Sequence, residues 1–379
     1  MKPNIDMSRL PLRSSLTAPA RLTPGLCIQG HLTSETGVGE AARLISQAAD
    51  AKLLELSFMN HPLPGRDHEH HFRTKINQTS DRTANLFVFG LLAADIINQA
   101  NHLGRFNIFY PFWELPRCPE RLCKSLNSYD EIWAPTEFVA AALRQSVQRS
   151  VIRIPTPVRT PNKPPAFRRN GDVLTVFSFF DTDSFVARKN PLAALTAFRA
   201  AFPPSQLDVR MVMKVRGLTD TGERALLFRA ASEDPRISII DRTLSRAEMN
   251  LLMMRADIFL SLHRSEGFGL GPAEALACGK IVVATDFGGT RDFINDETGF
   301  PISYEMVDVK AGSYPDSEGQ SWAEPSLEHA IATLRNIQER PEFAFARAEQ
   351  GFDRLKQEFS FNHIGGLMRD RLSELDLLR

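Results

Sequence analysis

The 379-residue chain carries 45 basic and 45 acidic side chains, so its formal net charge is zero and nothing argues for a nucleic-acid partner. Its length exceeds one ordinary core and predicts two domains, while 43% apolar and 24% charged residues exclude a disordered or membrane-embedded chain. Four cysteines (Cys27, Cys118, Cys123 and Cys278) lack the spacing of a zinc site and read as free thiols in a reducing compartment.

Residues 1 to about 20 read as a loose arm without an apolar signal core. The best apolar run, Ala84–Ala94, is too short to span a bilayer. A cytoplasmic protein is expected, with peripheral contact at the inner face of the membrane left open. Strand patterns lie near Leu26–Gln29, Leu53–Phe58, Leu86–Phe89, Asn107–Tyr110, Glu131–Ala134 and Val151–Ile154. Helical patterns such as Glu40–Ala49 and Phe138–Val147 fall between most of them. That alternation predicts an α/β fold with parallel sheets covered by helices.

Pro155–Pro165 holds five prolines in eleven residues, unsuited to a central strand or a helix interior. It reads as a linker, and the expected division is a first domain over 1–157 and a second over 158–350. Alternation resumes with strands at Val173–Phe179, Val209–Val215 and Ile237–Ile240. Asn190 is predicted to cap a helix with Pro191 at its first position and Leu192, Leu195, Phe198 and Phe202 on one face. Ser245–Glu248 is a capping box for a helix ending near Arg255. From Ser326 onward the pattern is almost entirely helical.

The most informative stretch is Ser265–Ala275. A buried strand over Ala256–Leu262 precedes it, and Ile281–Thr285 is the next strand. Pro272 is expected at the first helical position and Gly279 just past the last turn. Glu266 then sits on a loop at a strand's carboxyl end, and Glu274 in the first helical turn. Between them Gly267, Phe268, Gly269 and Leu270 form a turn that a ligand can approach closely, beside a helix N-terminus that favours anions. A carboxylate accepts two hydroxyl donors at once, so two of them flanking an anion site suit ribose, diphosphate and hexose in a row.

This segment, from His263 to Gly299, resembles the signature of retaining glycosyltransferases of the two-domain GT-B fold, in the large family often called family 4. The Glu-x7-Glu pair is Glu266 and Glu274, and Asp286–Asp292 resembles the family's Gly-Gly turn. The resemblance implies two Rossmann-like domains facing across a cleft. It also implies that a helix over 351–379 crosses back to the first domain. Glu266 would contact the donor sugar and Glu274 the nucleotide ribose. Backbone amides near Gly289, with Thr290 beside it, and near Gly37 and Gly39 would face the donor phosphates. No cofactor or metal is implied beyond a nucleotide-diphosphate sugar as donor, with a saccharide or lipid-linked saccharide as acceptor and retention at the anomeric carbon.

Other residues fit that expectation. Arg188 and Lys189 precede a predicted helix N-terminus, where two cations call for an anion. Lys214 ends an apolar strand and is a candidate cleft cation or a snorkelling lysine. Glu114, in Tyr110–Arg117, is the one acid where family members often have a histidine; it is a candidate for the sugar or acceptor and equally for a structural hydrogen bond. Trp113 reads as a stacking platform or as core. His68, Glu69, His70 and His71 read as surface residues rather than a metal set. Replacing Glu266 or Lys189 by Ala is predicted to abolish transfer with the fold intact. A sugar-nucleotide epimerase of the same fold and a catalytically silent nucleotide-sugar binder remain alternatives.

Overall fold

The computed structural model describes residues 22–66, 71–77, 79–97, 104–163, 165–167, 173–217 and 222–378. The arm expected over 1–20 and His68, Glu69 and His70 lie outside them. The first sheet comprises β1 (Thr23–Gly30), β2 (Leu56–Asn60), β3 (Arg82–Gly90), β4 (Phe106–Phe112), β5 (Glu131–Ala134) and β6 (Ser150–Arg153). The second comprises β7 (Leu174–Asp181), β8 (Val209–Arg216), β9 (Ile237–Asp241), β10 (Ile258–Ser261), β11 (Ile281–Thr285) and β12 (Phe300–Ile302). All neighbours within both sheets are parallel. Strands covered on both faces need apolar side chains on both, and the fully buried runs Leu26–Ile28, Leu86–Val88 and Val282–Ala284 supply them.

The strand orders are β2-β1-β3-β4-β5-β6 and β12-β11-β10-β7-β8-β9. Order therefore reverses between β1 and β3 in the first sheet and between β7 and β10 in the second. A crevice opens at such a point, outside the carboxyl ends of the strands, and ligands bind there.

Three local expectations are corrected. The helix around the Glu-x7-Glu turn spans Leu270–Ala277, so Pro272 is its third residue and Glu274 lies beyond the first turn. Gly269, at φ 89°, makes the sharp entry that lets it start early. Asn190 stands before the helix Pro191–Ala201 but in a left-handed conformation with no side-chain cap. It also closes a one-turn helix, Val186–Lys189, so Arg188 and Lys189 sit at a helix C-terminus, where the dipole favours cations. The capping box of Ser245 and Glu248 forms as the sequence indicates.

An antiparallel ribbon of β13 (Tyr304–Asp308) and β14 (Ser321–Pro325) stands outside both sheets. The helices Leu327–Glu339 and Pro341–Glu358 pack on the second sheet, through Leu334, Ile337, Phe345 and Ala348. The helix Phe361–Glu374 instead buries Ile364, Met368 and Leu372 in the core of the first. Its Gly365 lies so close to the helix Gly37–Asp50 that an added Cβ would meet the Ala48 carbonyl at 2.0 Å. The chain thus crosses between domains twice, and the crossings touch: the Val158 amide donates to the Phe359 carbonyl at 2.8 Å.

Candidate active site

The two loops that leave β7 and β10, the strands flanking the second switch point, carry Lys189 and Glu266. Glu266 is only 8% exposed. Lys189 donates to its Oε1, and Arg188 Nη1 lies 3.1 Å from its Oε2. Arg188 is itself buried and donates to the carbonyls of Ser265 at 2.8 Å and Ser184 at 3.2 Å. The anion that the paired cations call for is thus supplied from 77 residues away by Glu266. Burial works against ionising Glu266, but Lys189 and Arg188 outweigh it and hold the carboxyl well below the usual range. Burial lowers Lys189 despite its partner, and Glu266 with Glu114 raises Arg188 against the same burial. A narrow cavity lined by Lys189, Glu266, Phe179, Phe259, Gly269 and Gly271 opens beside this cluster.

This burial revises one expectation. Glu266→Ala would take the nearest carboxylate from the buried Arg188 and the half-buried Lys189, which destabilises the second domain as well as the site.

The turn after Glu266 is pressed against the first domain. The Gly267 carbonyl accepts from Thr136 Oγ1 at 2.8 Å, and a Cβ on Gly267 would fall 2.7 Å from the Trp113 carbonyl. The Gly289 amide donates to the Glu266 carbonyl at 2.7 Å, and the buried Thr290 hydroxyl turns inward to Phe287 O at 3.3 Å. Both residues brace the turn. Phe268 packs with Phe293 and Phe359, so only its backbone faces the gap, and Leu270 is half-buried at the start of the helix.

Glu274 has different company. Its Oε1 pairs with Arg246 Nη1 at 2.8 Å, and the other arm of that guanidinium reaches Glu40 of the first domain at 3.0 Å. Burial raises the Glu274 carboxyl, with Arg246 opposing. Burial would raise Glu40 too, but Arg246 and Arg43 bring it below its ordinary value. Glu40 follows the glycine loop, in which Gly37 faces open space and Gly39 is packed against the carbonyls of His31 and Ser34. Thr36 caps the helix by accepting from the Gly39 amide at 3.0 Å.

Lys214 is buried at the end of β8 near Asp181, Arg216 and Asp241, and burial lowers its ammonium. It makes no hydrogen bond or ion pair among the described residues. Nearby, Arg66 of the first domain meets Asp181 at 2.8 Å, and Arg216 donates to the Glu35 carbonyl at 3.0 Å. Glu114 follows β4. Its Oε1 is 3.9 Å from Arg188 Nη2, and its Oε2 accepts from Tyr314. Trp113 is core at 1% exposure, with Nε1 donating to the Arg117 carbonyl at 3.0 Å.

The structure therefore brings Glu266, Lys189, Arg188 and Glu114 together. It places Glu274 at a second interdomain contact and Lys214, buried near the end of β8, outside the cluster. Pattern reading missed Tyr314, Arg66, the partner role of Arg246 and His263. Buried beside Glu266 and hydrogen-bonded to Ser261 at 2.9 Å, His263 is pushed down to about 4 by burial and is neutral at pH 7. No three His, Cys, Asp or Glu side chains gather as a metal set among the described residues.

Residues 234–307, which hold both glutamates, match the family model described as Glycosyl transferases group 1. The lipopolysaccharide core biosynthesis mannosyltransferase LpsB of Rhizobium meliloti is 42% identical over 67 residues, 16% of this chain and 19% of that protein. The match thus spans about a fifth of the relative's length, 19%. Sucrose-phosphate synthase of Thermosynechococcus elongatus superposes with a TM-score of 0.70 at 14% identity, over 93% of this chain and 99% of that one. Anabaena HepE in complex with UDP and glucose gives 0.66 at 13% identity, over 93% and 100%. The fold is GT-B.

Proposed function

We propose that the chain is a retaining hexosyltransferase that moves a sugar from a nucleotide-diphosphate donor to a hydroxyl of a saccharide or lipid-linked saccharide. The observation that carries this reading is the Lys189–Glu266–Arg188 cluster at the second switch point, with Glu266 and Arg188 buried and Lys189 half-buried, opposed by Glu114 of the first domain. In transfer, the bond from the anomeric carbon to the phosphate oxygen breaks. The acceptor oxygen bonds that carbon on the same face, and its proton passes to the departing phosphate. Negative charge grows on the diphosphate, and a cation fixed beforehand in a water-poor site stabilises it most. Lys189 supplies that charge by exchanging a carboxylate oxygen for a phosphate oxygen. Arg188 stays behind Glu266 and keeps it ionised, so Glu266 accepts from sugar hydroxyls.

Glu274 takes the ribose hydroxyls in place of Arg246, and Glu114 orients the reacting hydroxyl. Closure of the domains keeps out water that would hydrolyse the donor. The cations supply the charge that a metal ion supplies elsewhere. The UDP and glucose held by HepE and the role of LpsB in lipopolysaccharide core biosynthesis support a nucleotide-sugar donor and a polysaccharide or glycolipid product. No helix among the described residues is long and apolar enough to cross a membrane, so a lipid-linked acceptor would be met at a membrane surface.

A panel of GDP-, UDP-, ADP- and dTDP-sugars tests the reading. One donor should release nucleoside diphosphate, and the product should keep the donor's anomeric configuration. Tight nucleotide-sugar binding without turnover would favour the silent binder instead.

A further inference from the structure

We infer that Tyr314 is a positioning residue for this centre and acts through Glu114, an inference that rests on the transferase reading above. Tyr314 lies between β13 and β14, in an arm that leaves the second domain and fastens to the first. The matched family segment ends at residue 307, within β13, so most of the arm lies beyond it. Arg121 pairs with Asp316 at 2.6 Å. Gln320 accepts from the Arg117 amide at 3.3 Å and donates to its carbonyl at 2.8 Å. Val309, Tyr314 and Trp322 are buried in the core of the first domain with Trp113 and Leu115. The arm is therefore a fixed part of the domain interface.

Tyr314 is 6% exposed, and its ring is wedged between Trp113 at 5.5 Å and Phe185 at 4.8 Å. Phe185 opens the helical turn that bears Arg188 and Lys189, at φ 65°, a strained value for a side chain of its size. The ring thus supports that turn, while the hydroxyl donates to Glu114 Oε2. A single row results: Tyr314, Glu114, Arg188, Glu266, Lys189. Arg188 stands between two carboxylates, its own domain's at 3.1 Å and the other domain's at 3.9 Å. A guanidinium with a free carboxylate that close tends toward a bidentate pair. The phenol occupies one oxygen of Glu114 and keeps the pair open, which leaves Arg188 on Glu266 and the Glu114 carboxylate at a fixed orientation toward the gap. Tyr314 contacts no reacting atom; it sets the geometry of those that do.

The test is Tyr314→Phe, which keeps the ring packing and removes only the hydroxyl. On the best donor, kcat should fall about 10- to 100-fold, the rate equivalent of one hydrogen bond to a charged group. Donor KM and nucleoside-diphosphate affinity should stay within about 3-fold, and Tm within about 2 °C. In a Glu114→Gln background the same substitution should add less than about 2-fold, because the two act as one unit. A wild-type kcat in Y314F, or losses that multiply in the double variant, overturns the inference and leaves the transferase reading standing. If Y314F does not fold, Glu114→Gln alone decides: unchanged turnover there overturns the inference as well. A wild-type protein that turns over no nucleotide sugar overturns the transferase reading, and this inference with it.

Discussion

Glu266 on the loop and Glu274 on the helix that follows it belong to one short segment, yet they are opposites. Glu266 is held inside one domain by two cations of that domain and is driven to stay ionised. Glu274, with a side chain 26% exposed, is raised by burial and tied through Arg246 to a carboxylate of the other domain. The first acid has a fixed charge built into its loop. The second belongs to an ion-pair contact between domains. A sequence motif thus delivers two identical groups, and the packing around each assigns its work.

Glu266→Gln should have the largest effect, lowering transfer by about 1,000-fold or more, since it removes the charge proposed to hold the sugar and upsets both cations. It should also cost about 3–5 kcal/mol of stability by removing the charge that Lys189 pairs with and the nearer of the two carboxylates beside Arg188. The pH dependence has a definite sign. Because the folded-state Glu266 is held below its ordinary value, its stabilisation is present above about pH 4.5 and is lost as pH falls. The difference in Tm between wild type and E266Q should therefore shrink on acidification. Lys189→Met should slow transfer by about 100-fold with a smaller loss of nucleotide affinity, as expected for a cation that matters most when the diphosphate departs.

At the other acid the effects should be smaller and of two signs. Glu274→Gln should weaken nucleoside-diphosphate binding by about 10-fold by calorimetry, the worth of one charged hydrogen-bonding contact. It should leave Tm unchanged or slightly higher at pH 7. A carboxyl raised in the folded state contributes stability at low pH and loses it as pH rises through the raised value. Arg246→Ala frees Glu274 and should tighten nucleotide binding by about 3-fold. Weaker binding in R246A would mean that the guanidinium holds the nucleotide itself.

The contrast also marks what the sequence could show. Eleven strands, β1 to β11, are legible because apolar runs such as Ile281–Thr285 are long enough to be fully covered, whereas the three-residue β12 (Phe300–Ile302) is too short to show a pattern. The Glu-x7-Glu loop is legible because its glycines mark a close approach. β13 and β14 are not, since a half-exposed antiparallel ribbon with Glu305, Asp308 and Glu324 carries no core pattern. Partners distant in sequence are also invisible. Arg188 looks like a cation awaiting a phosphate until Glu266 is found beside it. Arg246 reads as a routine first-turn residue behind a capping serine, and only the packing of two domains brings Glu40 and Glu274 to its two arms. Tyr314 sits in a Gly-, Ser- and Pro-containing stretch that reads as loop and is loop; its meaning comes from the domain it touches.

The most direct measurement is a crystal structure of the chain with a nucleoside diphosphate bound. The phosphates should lie at Lys189, with its ammonium moved from Glu266 to a phosphate oxygen, and the ribose hydroxyls should lie on Glu274 with Arg246 displaced. Phosphates bound elsewhere, with the Lys189–Glu266 and Arg246–Glu274 pairs both intact, would contradict this placement.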